Sequence, residues 1–163
     1  MRKFDVPFLA LCLLFSPCVL ANDFVSHHNE QTRHFNPQAK IHIINFWATW
    51  CAPCREEMPA MSHWHTQKGK KHRVQMVGIA IDKQENVAQF LKQTPVSYEI
   101  WRYTGSNSRA MMKTYGNPVG VLPYTLVRAP QCQQEQAITG KVDADKLDKA
   151  IANLTKQCPK LAA

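Results

Sequence analysis

Residues 45–59 read NFWATWCAPCREEMP, running from Asn45 through Trp50, Cys51, Ala52, Pro53, Cys54 and Glu57 to Pro59. The run Ile41 to Trp47 (IHIINFW) that leads into this stretch is apolar and branched, the pattern of a buried strand. From Ala52 to about Lys68 the pattern is helical, with Pro59 inside it as a predicted kink. A Cys-x-x-Cys pair is thus set where a strand turns into a helix. Three residues apart on one helical turn, two sulfurs are close enough to join. Cys51 falls at the amino end of the helix, where unpaired N–H groups and the helix dipole favour a thiolate. Cys54 lies further in and is expected to be more buried, so Cys51 should attack and Cys54 should resolve the resulting mixed disulfide. Pro53 suits the first turn because its missing N–H would be unpaired there anyway. Zinc binding and a static structural bridge are the competing readings of such a pair. A zinc site needs two more ligands at similar spacing, and Cys132 and Cys158, 26 positions apart, do not supply them. A static bridge has no need of this strand-to-helix placement.

Outward from that stretch, Val74 to Ile81 (VQMVGIAI) reads as a second buried strand. Asp82, with Glu85 three residues on, reads as a capping-box start to a helix ending near Gln93. Tyr98 to Arg102 is a short strand, and Ser106 or Asn107 opens a helix that Gly116 stops. Tyr124 to Arg128 and Gln134 to Thr139 pair as a hairpin, and Asp143 caps a last helix through about Gln157. Early crossovers imply parallel strands and the late hairpin adds antiparallel ones. The expected class is α/β, a mixed central sheet with helices on both faces, formed by residues 40–163. Residues 22–39 are polar, rich in His, Asn and Gln, and read as a loosely docked arm. There is no internal repeat.

The amino terminus reads as an address. Arg2 and Lys3 precede the apolar run Val6 to Phe15, and Val19-Leu20-Ala21 offers a small residue for cleavage after Ala21. Residues 1–21 are therefore expected to be a signal peptide and the mature chain to be periplasmic; an uncleaved membrane anchor is the alternative. The length of 163 residues suits one domain, and 45% hydrophobic with 20% charged residues argues against disorder. A net charge of +8 is only mildly concentrated, with Lys68, Lys70, Lys71 and Arg73 the densest run, and no nucleic-acid motif accompanies it. Export leaves four cysteines, Cys51, Cys54, Cys132 and Cys158, an even number in an oxidising compartment. From the turn at Cys132, a strand of about 7 residues runs ~23 Å, and a helix of about 14 residues returns ~21 Å. The two lengths cancel, so Cys132 and Cys158 are expected to meet as a structural disulfide at the pole away from Cys51.

The segment Asn45 to Pro59 resembles the active-site segment of thioredoxin-fold proteins, and is most similar to the exported TlpA/ResA branch of disulfide reductases. The likeness continues through Val77 to Asp82 and through Tyr115 to Val127 (YGNPVGVLPYTLV), and covers roughly residues 41–155. It implies a thioredoxin-like fold in which Pro123 is cis and faces the disulfide, with the Leu122 backbone placed to pair with a bound peptide strand. Trp50 and Pro53 would complete that substrate-binding face. Asn45 occupies a position where thioredoxin itself has a buried aspartate, and it cannot accept a proton. The resemblance implies that Glu57, three residues beyond Cys54 and on the same helical face, carries that function, its pKa raised if it is buried. Its competing reading is a solvated first-turn glutamate, a description that Glu56 fits better.

The implied activity is a thiol–disulfide oxidoreductase without cofactor or metal, acting as a monomer on protein disulfides. Reduction of the apocytochrome c or copper-site-assembly type is the implied task, with electrons from a membrane thiol transporter. An Ala-Pro spacer brings no histidine to stabilise the Cys51 thiolate, which points to the reducing end of the range. A disulfide oxidase and a non-catalytic metal or haem-protein chaperone are the alternatives on the same fold. The seven histidines, none later than His72, read as surface or satisfied residues. A peroxidase would need Thr-x-x-Cys, whereas Thr49 stands two before Cys51.

Overall fold

The computed structural model describes residues 23–161; the expected signal peptide lies outside them. Six strands form one sheet in the order β1-β4-β3-β2-β5-β6. They are β1 (Phe24–Ser26), β2 (Ile41–Trp47), β3 (Val74–Ala80), β4 (Glu99–Tyr103), β5 (Tyr124–Ala129) and β6 (Gln134–Thr139). Strands β2, β3 and β4 are parallel, as the crossovers through α1 (Ala52–Trp64) and α2 (Gln84–Gln93) require. Strands β1, β5 and β6 are antiparallel to their neighbours. The remaining helices are α3 (Ser108–Thr114) and α4 (Ala144–Gln157).

Every residue of β2 is buried, because this central strand has helices on both sides. Ile41, Ile43 and Trp47 pack on one face with Met58, Met61 and Trp64 of α1, Val87 of α2, and Leu147, Ile151 and Leu154 of α4. Ile44 and Phe46 pack on the other with Trp101, Tyr124, Leu126 and Met112 of α3. The expected mixed sheet with helices on both faces is the one observed, and it is a thioredoxin-like fold.

Three local expectations are corrected. The α1 helix ends at Trp64 instead of continuing regularly to Lys68, and His65–Gly69 forms a π-helical turn. Gly69 packs so closely on the His65 ring that a Cβ there would lie 2.7 Å from ring carbon Cδ2, so any side chain at this position would have to displace the ring. Asp82 does not cap α2. The cap position is Lys83, with no side-chain cap bond, because the Asp82 carboxylate is drawn to the end of β2, where it accepts from the Thr49 backbone N–H at 3.1 Å and from the Thr49 hydroxyl. Of the segment expected as a loosely docked arm, the described residues 23–39 are firmly docked: Phe24–Ser26 adds an edge strand to β4. Phe35 packs beneath Trp101 and stacks on His42, with the Arg128 guanidinium 4.6 Å above its ring. His42 is buried and satisfied, one ring nitrogen on the Asn36 carbonyl and the other accepting from Arg128 Nε.

Candidate active site

Cys51 is the N-cap of α1, in extended conformation, and its Sγ accepts a hydrogen bond from the Cys54 backbone N–H at 3.3 Å. It is bonded to Cys54 with an S–S distance of 2.00 Å. Cys51 retains 6% exposure while Cys54 has none, so of the two cysteines only Cys51 meets solvent. Pro53 occupies the first turn of α1, where no donor is lost.

The next turn of the same helix carries Glu57, which is fully buried. Two groups distant in sequence donate to it, and a third steadies one of the donors. Asn45 Nδ2, from β2, donates to Glu57 Oε1 at 2.8 Å, and the Val142 backbone N–H, just before α4, donates to Oε2 at 2.7 Å. Thr125 Oγ1, from β5, accepts from the same Asn45 nitrogen at 3.0 Å. Burial raises the Glu57 pKa to about 7, and the bonds from Val142 and Asn45 and the Lys141 and Lys146 charges only partly offset it. Glu56, one step round the helix, is exposed and paired with Lys141 at 2.9 Å. That lysine contact holds the Glu56 carboxyl below its ordinary value. Tyr98 is buried nearby, its hydroxyl pKa pushed up by burial and then by the Glu57 charge.

The Leu122–Pro123 peptide bond is cis. Tyr124 pairs with Phe46, so Leu122 and Pro123 lie beyond the same end of β2 from which Trp50 and Cys51 depart. Leu122 and Trp50 line a common cavity of about 170 Å³, together with Ile81, Met112, Val119 and Arg109. Trp50 is 69% exposed and Val119 67%, with Val121 also exposed: a small apolar surface around the disulfide.

Asn117 was not singled out in the sequence and shapes that surface. Its Oδ1 accepts from the Gly120 and Val121 N–H groups at 3.0 and 3.1 Å, and its Nδ2 donates to the Val121 carbonyl at 2.8 Å. Gly120 has φ +78°, a conformation open to glycine. The Asn117-Pro118 dipeptide is a turn signal that could have marked it. Asp82 was read only as a cap. Burial alone would raise its pKa, but bonds from Thr49, Asn86 and Lys83 outweigh this and hold it below the ordinary aspartate value.

Cys132 follows the antiparallel run of β5, in which Arg128 pairs with His42, so it sits at the end of the sheet away from Cys51. It is bonded to Cys158 at the end of α4, with 5.8 Å between Cα atoms. Among the described residues, no group of three His, Cys, Asp or Glu side chains converges as a metal site. Nor is any helix among them long and apolar enough to cross a membrane.

A six-stranded mixed sheet with a cystine at the amino end of its first helix and a cis-proline at the same end of the sheet defines a thioredoxin-fold protein of the Cys-x-x-Cys type. The family model described as AhpC/TSA matches residues 21–133, and the chain belongs to that family. It is 27% identical to thiol-disulfide oxidoreductase ResA of Oceanobacillus iheyensis over 116 residues, 71% of this chain and 57% of that protein. Against ResA of Bacillus thuringiensis subsp. konkukian it is 29% identical over 114 residues, 69% of this chain and 62% of that protein. The chain thus spans about three fifths of the length of these curated relatives. Among solved structures, the thioredoxin-related protein from Neisseria meningitidis serogroup B is 51% identical with a TM-score of 0.77, covering 82% of this chain and 98% of that one. StoA from Bacillus subtilis shares the fold at 20% identity and a TM-score of 0.57, covering 71% and 85%.

Proposed function

We propose that this chain is a periplasmic thiol–disulfide oxidoreductase that reduces protein disulfides through Cys51 and Cys54. The observation that carries the reading is the cystine itself: a reachable sulfur capping a helix, joined to a buried sulfur one turn in, with a buried carboxyl on the next turn. Relatives named as thiol-disulfide oxidoreductases support it.

In the reduced protein the Cys51 thiolate is stabilised by the Cys54 N–H and by the helix amino end. It attacks one sulfur of the substrate disulfide, forming a mixed disulfide and releasing the other substrate sulfur as a thiolate. Cys54 then gives its proton to Glu57 and attacks Cys51 Sγ, which breaks the bond to the substrate. Two electrons pass to the substrate, whose two thiolates leave as thiols after one takes the proton held by Glu57 and the other a proton from solvent, and Cys51–Cys54 is left oxidised. With a pKa of about 7, Glu57 is matched to carrying that proton near neutral pH. The substrate binds as an extended strand against the Leu122 backbone beside Pro123, with Trp50 and Pro53 flanking the sulfur. A membrane thiol-electron transporter restores the dithiol, and the substrates are of the cytochrome c maturation or copper-site-assembly type. The histidine-free Ala52-Pro53 spacer supports the reducing direction.

The test is alkylation of the reduced protein across pH, alongside reduction of a peptide disulfide. Cys51 should be labelled first, with an apparent pKa below the free-thiol value of about 8.5, and the peptide should be reduced. Preferential labelling of Cys54, or no reduction by a protein whose thiols are intact, would overturn the reading.

A further inference from the structure

Asn45 is fully buried, and its hydrogen bonding is lopsided. Both N–H groups are engaged, one on Glu57 Oε1 at 2.8 Å and one on Thr125 Oγ1 at 3.0 Å. Its Oδ1 has no partner among the described residues. A buried acceptor left alone in this way calls for an explanation. This arrangement suits an ionised Glu57, which only accepts.

Once Glu57 takes up a proton, the arrangement fails. Its Oε2 is held by the Val142 backbone N–H at 2.7 Å, a donor that cannot become an acceptor. The proton therefore belongs on Oε1, where it would meet the Asn45 N–H, donor against donor. The two ends of a carboxamide are nearly equal in size. Half a turn about the Cβ–Cγ bond brings Oδ1 to the position of Nδ2, where it accepts from the Glu57 O–H and from the Thr125 hydroxyl, itself free to rotate. The turn leaves the N–H groups in the unpartnered place, a cost that disfavours it while Glu57 is ionised.

We propose that Asn45 is a proton-responsive positioning residue: its amide donates to Glu57 when the carboxyl is ionised and turns over to accept from it when the carboxyl is protonated. Glu57 Oε1 is thereby held in one place through both halves of the proton transfer, which a leucine at position 45 could not do. Its use in turnover rests on the role proposed above for Glu57; the turn itself requires only that Glu57 titrate. The other titratable groups around the carboxyl are Tyr98 ahead of β4, Lys141 ahead of α4 and Lys146 on α4; Cys51 and Cys54, joined in the oxidised chain, do not titrate. Asn45 and Thr125, from β2 and β5, do not titrate.

The experiment follows the Asn45 side-chain amide and the Glu57 carboxyl carbon by NMR in the full oxidised chain, from about pH 5 to about pH 9, either side of the carboxyl midpoint. No turnover is involved, so this result and the fate of the reductase reading are separable. Expected are a common midpoint for the two residues and, below it, loss of the cross-peaks between the Asn45 amide protons and Thr125. In a Glu57→Gln chain the Asn45 signals should not titrate with that midpoint. An amide that shifts while keeping its Thr125 cross-peaks feels the charge without turning, and the proposal falls. It falls equally if Asn45 ignores the Glu57 midpoint, or titrates alike in Glu57→Gln.

Discussion

At the residue scale, Glu57 is where the proposed chemistry and the chain's stability pull against each other. A carboxyl fully covered by α1, β2 and the start of α4 is costly to ionise, and two donated hydrogen bonds recover part of that cost. The unfolded chain releases this proton near the ordinary value of 4.5 and the folded chain near 7. Between those values the folded state binds more protons, so stability falls as pH rises through the window and stays lowered above it. The effect is on the order of 3 kcal/mol. Glu57→Gln should therefore gain in melting temperature relative to the parent chain on going from pH 4 to pH 8, as read by paired melts. The same variant should slow turnover about 10²- to 10⁴-fold and lose one ionisation from its pH–rate profile. Glu56→Gln, out in solvent with Lys141, should change little. If both variants keep rate and profile, water carries the proton.

At the element scale, the loop from Gly116 to Leu122 is held by one side chain. Asn117 satisfies three backbone groups of Gly120 and Val121, and those residues present Val119 and Val121 beside Trp50. Asn117→Ala should cost about 1–3 kcal/mol in denaturant unfolding, since buried polar groups lose their partners. It should also raise KM for a peptide disulfide more than it lowers kcat, because in the proposed mode of binding this loop flanks the substrate strand and does not carry the sulfurs. Equal kcat and KM relative to the parent chain would show that the loop keeps its shape without Asn117. Strands β2 and β3 were legible from their apolar, branched runs, β5 and β6 as a hairpin, and α4 from its Asp143 cap. The β1 strand was not legible. It is three residues long in a polar segment, and its pairing with Trp101, Arg102 and Tyr103 exists only once β4 is in place.

At the scale of the whole molecule, two cystines sit at opposite ends of one sheet, one beside the Trp47 end of β2 and one beyond the Arg128–His42 pairing. The second closes a loop of 26 positions between β5 and the end of α4. In the chain-entropy model this stabilises by about 3–4 kcal/mol. A Cys132→Ser, Cys158→Ser double variant should melt lower yet still reduce a peptide disulfide, and mild reductant should open Cys51–Cys54 first. Loss of activity with an unchanged melting temperature would instead place the second cystine in the electron path.

The sequence by itself determined what depends on near neighbours and on element lengths. Cys51 falls at a helix start because Pro53 and the preceding apolar run place it there, and Cys132 meets Cys158 because a strand and a helix of matching length join them. Only the tertiary structure decided what surrounds Glu57. Asn45 is 12 positions away and Val142 is 85, and their approach depends on how α1 docks across β2 and where α4 begins. The string of residues around Glu57 reads the same whether that helical face is covered or wet. Burial turns it from an ordinary glutamate near a helix start into a carboxyl that titrates near neutrality, and burial is a property of the packed sheet and helices rather than of any local run of residues.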